Sequence, residues 1–260
     1  SYYQKRSCQR PLNGRWQLFS YTSQRGRRLP VSQKKKARPN RPLHAARTCR
    51  TIGRMQLHYI ANAGVASASG RTIAVIDPSD GQPYDEIQRG TAEDIDAAVR
   101  AAQQCYDTVW RKLAPAERGR LLQRLSAKIT EHAEELAAIE QRDCGKPTRQ
   151  ARADAAALAR YFEFYAGACD KLHGETIPYQ DGFSVLTWRE PHGVTGHIVP
   201  WNYPMQIFGR CVGAALAAGN VCVVKPAEDA CLSLLHVAQL AAEAGFPAGA
   251  LNIVTGYGHE

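Results

Sequence analysis

The sequence predicts an α/β protein in which a layer of helices precedes an incomplete, doubly wound parallel sheet. Three observations carry this. From Val194 the chain runs VTGHIV, a helix from Pro204 to about Ala218, VCVVK, a helix from Ala230 to Ala244, then ALNIVT. The strand runs read as continuous apolar segments, the pattern of strands covered on both faces by helices. Residues 91–168 before them carry helical periodicity broken by stop signals. An open sheet of this kind normally needs five or more strands. The sheet is therefore expected to be cut short, with the outer edge of Ala250–Thr255 bare and prone to association.

The elements follow in chain order. Residues 1–54 hold 15 Lys and Arg and no Asp or Glu. The whole chain has 33 basic and 24 acidic residues, so the remainder has 33 − 15 = 18 against 24, a net of −6. The overall charge of +9 belongs to this segment alone. It has no apolar period and reads as a basic disordered tail. Two origins fit: translated sequence upstream of a start at Met55, which is favoured, or an Arg-rich, acid-poor organelle transit peptide.

Residues 58–90 alternate short β-rich runs with turn pairs such as Ser-Gly and Pro-Ser-Asp-Gly. Thr91 with Asp94 three residues on is close to a capping box, and Ile95, Ala98, Val99 and Ala102 form the stripe of an amphipathic helix. Two helices are expected from Pro115 to about Arg142, stopped by Cys144-Gly145-Lys146-Pro147, and another from about Arg149 to Ala168. Residues 174–193 read as a hairpin turning at Asp181-Gly182.

Composition excludes several classes. No run of 18 apolar residues occurs, so no membrane span is expected. The part after residue 54 has no basic patch interleaved with aromatics, so no nucleic-acid partner is expected. The eight cysteines form no CxxC pair, which suits a reduced, cytoplasmic chain. The eight histidines never pair at HxxH or HxxxH spacing, and no metal site is expected.

Chemistry in a parallel α/β sheet gathers at the carboxyl ends of the strands. Three loops lie there. In Pro200–Tyr203 the amide of Asn202 could donate to a developing oxyanion, or it could cap the helix that follows. In Lys225–Asp229 a lysine at a strand end and Glu228 three residues on could hold a ribose, or Glu228 could serve the helix dipole. In Thr255–Gly258 the glycines could admit a ligand to the backbone or merely make a turn. The G-x-G-x-x-G fingerprint is absent.

DCGKP (143–147), REPHGV (189–194), IVPWNYP (198–204), ALAAGNVCVVKPAE (215–228) and GFPAGALNIVTGYG (245–258) stand in an order and spacing that resemble the aldehyde dehydrogenase superfamily. The wording is similar to NAD-dependent betaine and broad-substrate members. The resemblance implies the amino-terminal part of that fold, with 55–173 and 194–260 as an incomplete coenzyme-binding domain and 174–193 as an oligomerisation hairpin of a dimer or tetramer. It implies Asn202 as oxyanion donor to an aldehyde substrate. It places Ile198, Val199, Pro200, Trp201, Lys225, Ala227, Glu228, Gly256 and Gly258 on NAD, with Glu228 opposing the extra phosphate of NADP.

Departures are equally informative. The family's G-Q-x-C nucleophile, E-L-G-G base and G-S-T-x-x-G pyrophosphate turn do not occur in the chain. Cys211 stands where many members carry a lysine. The chain by itself is expected to lack turnover, and the alternative reading is a non-catalytic nucleotide-binding or interaction module.

Overall fold

The computed structural model describes residues 55–260; the tail reading at 1–54 lies outside the described residues. The first hairpin joins β1 (His58–Ile60) to β2 (Ala63–Val65) through Ala61 and Asn62, both at positive φ of 52° and 61°. Paired left-handed residues give the turn whose twist matches antiparallel strands. A second hairpin joins β3 (Thr72–Ile76) to β4 (Pro83–Gln88).

Four helices follow: α1 (Ala92–Thr108), α2 (Pro115–Glu131), α3 (Ala133–Cys144) and α4 (Thr148–Ala166). The α1 start is built as the sequence indicates, with the Asp94 carboxylate accepting the Thr91 N–H at 2.8 Å. The buried face differs from the expected stripe. It is Asp94, Ala98, Ala102 and Cys105, while Val99 is 39% exposed. Asp94 can be buried because Ala68 N–H and the Ser67 hydroxyl also donate to it, at 3.0 and 2.7 Å. Gly145, at φ 66°, ends α3 in the left-handed conformation.

The expected hairpin at 174–193 is a two-stranded ribbon, β5 (Thr176–Ile177) and β6 (Val185–Leu186). Then come β7 (Val194–Val199), α5 (Pro204–Ala217), β8 (Val221–Pro226), α6 (Leu232–Glu243) and β9 (Leu251–Ile253).

The sheet order is β2-β1-β9-β8-β7. The last three strands are parallel, as the β-α-β rhythm requires. Two expectations need correction. The outer edge of β9 is not bare, because β1 pairs antiparallel with it through Tyr59 and Ile253. The neighbour comes from the far end of the described chain, and a three-residue strand gives no periodicity from which to read it. Nor is β7 covered on both faces. It is the sheet's edge strand, and Ile198 is 83% exposed. Of the sheet's strands only β1, β8 and β9 are buried along their length, apart from the half-buried Lys225.

Leu122, Leu125 and Ile129 of α2, Leu158 and Phe162 of α4 and Phe208 of α5 form the helical part of the core, with the Phe162 and Phe208 rings 6.2 Å apart. Helices α2 and α4 approach so closely that a Cβ on Gly119 would lie 2.7 Å from the Ala166 carbonyl oxygen.

Candidate functional site

The register fixes the site. Ile198 lies opposite Lys225 and Val199 opposite Pro226, while Val224 lies opposite Ile253. The loops leaving β7, β8 and β9 therefore emerge side by side. Ala227 N–H donates to the Val199 carbonyl at 2.8 Å and ties the first two together. Trp201, Glu228 and Tyr257, one from each loop, line a single cleft of about 450 Å³. Asp143 and Cys144, at the end of α3, also line it.

Lys225 Nζ donates to Glu228 Oε2 at 3.1 Å and to the Pro226 carbonyl at 2.7 Å. Burial works against ionisation of Glu228, but its backbone and Lys225 outweigh it and hold the carboxyl below its usual value. The site thus presents an anion with an adjacent ammonium. Gly256 is buried, and its close approach is to the chain itself: a Cβ there would lie 3.0 Å from Gly90 N. Gly258 is exposed with open space around it.

Sequence reasoning missed His58. Its Nδ1 accepts the Thr255 N–H at 3.2 Å and lies 3.1 Å from the Thr255 hydroxyl, fixing the root of the third loop. Burial lowers the imidazole pKa in spite of Asp94 at 3.6 Å, favouring the neutral ring that can accept.

Asn202 is exposed, with Trp201 and Tyr203 on either side also exposed. The N-cap of α5 is Tyr203, and no side chain caps that helix. The capping role open to Asn202 is therefore not taken. Its turn is gripped from behind by the DCGKP segment. Cys144 Sγ donates to the Trp201 carbonyl at 3.3 Å, and Lys146 Nζ to the Asn202 carbonyl at 3.4 Å. Lys146 is bound to Glu140 at 2.6 Å and Asp154 at 2.8 Å. Gln206 of α5 donates to the other oxygen of Asp154 at 2.6 Å. Asp143 accepts the Leu232 N–H at 2.9 Å and so holds the start of α6. The motif was visible in sequence; its grip on the asparagine turn was not.

Burial raises the thiol pKa of all six described cysteines, to about 12 for Cys144, the one lining the cleft. A nucleophilic cysteine needs its thiolate, and none of these sites favours one.

An open α/β sheet with a cleft across three strand ends defines a class of ligand-binding domain. The family model described as "Aldehyde dehydrogenase family" matches residues 65–260, and the chain belongs to that family. It is 47% identical over 204 residues to hydroxyisobutyraldehyde dehydrogenase of Mycolicibacterium austroafricanum, covering 78% of this chain and 40% of that protein. A Burkholderia cenocepacia crystal structure, named provisionally as an aldehyde dehydrogenase, superposes with a TM-score of 0.78 at 72% identity over 78% of this chain and 43% of that one. The NAD⁺ complex of aldehyde dehydrogenase from Bacillus cereus gives a TM-score of 0.78 at 39% identity, covering 80% of this chain and 43% of that one. The chain spans about two-fifths of the length of the curated relatives it matches.

Proposed function

We propose that this chain supplies the coenzyme cleft and the oxyanion donor of an NAD-dependent aldehyde dehydrogenase that converts an aldehyde to a carboxylic acid. The observation that carries this reading is the single cleft shared by Trp201, Glu228 and Tyr257, with the Asn202 turn beside it. When bound, NAD⁺ supplies the hydride acceptor.

The residues fit that coenzyme. Glu228 is an ionised acceptor for both hydroxyls of the adenine ribose, and Lys225 steadies it. Ile198, Val199, Pro200 and Trp201 offer backbone and apolar surface toward the nicotinamide side, with the exposed Ile198 and Trp201 side chains available to it. Ala227 and the Gly256–Gly258 turn are assigned to the coenzyme as well, next to Glu228 and Tyr257, which line the cleft. Asn202 donates its amide N–H to the aldehyde oxygen as charge develops there. Lys146 and Cys144 keep the turn in place by holding its carbonyls. No described cysteine or glutamate takes the nucleophile or base role, in keeping with the raised thiols.

The β5–β6 ribbon bears the exposed apolar side chains Ile177 and Leu186, with Phe183 in the turn between them and Trp188 just beyond. It is assigned to contact between subunits of a homo-oligomer. The six free cysteines among the described residues fit the reducing cytoplasm rather than an oxidising compartment.

The test has two arms. NAD⁺ titrated into the isolated chain should bind weakly, and Glu228→Ala should weaken it further. NADH formation with a panel of aldehydes should be absent from the isolated chain and present when the domain is joined to the family's G-Q-x-C and E-L-G-G segments. Turnover by the isolated chain, or coenzyme binding indifferent to Glu228, would overturn the assignment.

A further inference from the structure

We propose that His132, Glu135 and His236 form a binding site for a divalent transition metal of the zinc class, joining α3 to α6. None of the three lines the coenzyme cleft. His132 stands at the junction of α2 and α3, Glu135 lies in the first turn of α3, and His236 lies on α6. Helix packing brings their ligand atoms within 4.8 Å of one another.

The spacing suits a shared ion. His132 Nδ1 is 3.0 Å and His236 Nε2 is 3.5 Å from Glu135 Oε2. Ligands bonded at about 2.0–2.1 Å around a tetrahedral ion sit roughly 3.3 Å apart. The imidazoles meet edge to face, with centroids 5.8 Å apart and planes at 67°.

A second observation separates this cluster from an ordinary surface ion pair. His236 Nε2 is buried and has no hydrogen-bond partner. Burying a polar nitrogen unpaired is costly. Here the ring nitrogen faces, at 3.5 Å, the one carboxylate oxygen that His132 already engages. A cation between the three atoms would satisfy all of them at once, and the half-exposed Glu135 leaves the fourth position to water.

Two imidazoles and one carboxylate favour zinc, cobalt, nickel or copper over magnesium or calcium. The nearest lysine along the chain, Lys128, is engaged by Glu131 at 3.6 Å and Glu243 at 3.2 Å, so its charge is balanced. The bound ion would fasten α6, whose amino terminus Asp143 already anchors.

Zinc chloride titrated calorimetrically into the full chain tests this, with cobalt chloride as a spectroscopic probe. The wild type should take up one equivalent that His132→Gln/His236→Gln lacks. Cobalt should give the visible bands of a tetrahedral nitrogen–oxygen site, and zinc should raise the melting temperature of the wild type only. Glu135→Gln, at a half-exposed position that keeps the fold, should weaken binding by about tenfold or more. Equal zinc uptake by the double variant, a thiolate-to-cobalt charge-transfer band in its place, or no uptake by the wild type would each overturn the proposal.

Discussion

Lys146 and Asn202 are joined through a backbone carbonyl: the Lys146 ammonium stands 3.4 Å from the Asn202 oxygen while two buried carboxylates hold it from the other side. A charge cluster inside the fold thus sets the position of an exposed turn. Lys146 is 10% exposed, and Glu140 and Asp154 are fully buried at their side chains. The value of this arrangement lies in its completeness, because removing one member strands the others.

Lys146→Met should therefore destabilise the chain by about 3–5 kcal/mol. The Glu140 and Asp154 carboxylates would remain buried without their cation. Urea unfolding followed by circular dichroism measures it. A loss below about 1 kcal/mol, the range of exposed pairs, would mean that water reaches the cluster.

Asn202→Ala, in the domain joined to the family's remaining catalytic segments, should lower turnover by on the order of 10²–10³. Coenzyme affinity should change little, because the amide is assigned to the aldehyde oxygen and not to NAD⁺. Steady-state kinetics with an aldehyde series separates the two effects. Near-normal turnover would remove Asn202 from the chemistry.

Glu228→Gln should narrow the preference for NAD⁺ over NADP⁺. On the proposed reading the ionised carboxylate would repel the 2′-phosphate and accept the ribose hydroxyls, and the amide would do neither as well. Binding of NAD⁺ should weaken while that of NADP⁺ holds or improves. Parallel titrations with both coenzymes decide it, and an unchanged ratio would place the adenosine ribose elsewhere.

Asp143 supplies a pH dependence. Burial pushes its carboxyl up to about 7, against the Leu232 N–H and the Tyr84 hydroxyl, which favour the anion. The folded state therefore keeps a proton that the unfolded chain releases near pH 4. Its contribution to stability is complete below about pH 4 and is lost as the pH rises to about 7, at no more than roughly 1.4 kcal/mol per pH unit. Asp143→Asn keeps the shape and does not titrate. The stability of wild type relative to this variant should fall across that window, as measured by denaturant unfolding at several pH values. A flat difference would show that Asp143 is ionised throughout.

The sequence by itself determined the helices, the β-α-β-α-β run and the three loops of the cleft. Each depends on local chemistry: apolar periods, the Thr91–Asp94 cap and the Gly145 stop are read within a few residues. It also carried the family motifs, and with them Asn202, Lys225 and Glu228. Tertiary structure decided what those elements meet. Tyr59 reaches Ile253 across nearly the whole described chain and covers β9, while β7 is left at the edge with Ile198 in solvent. His58 finds Thr255, Lys146 finds Asn202, and histidines with no metal spacing in sequence come together at Glu135. Such pairs leave no local signal, because packing between helices and register between strands bring them within reach only after the chain has folded.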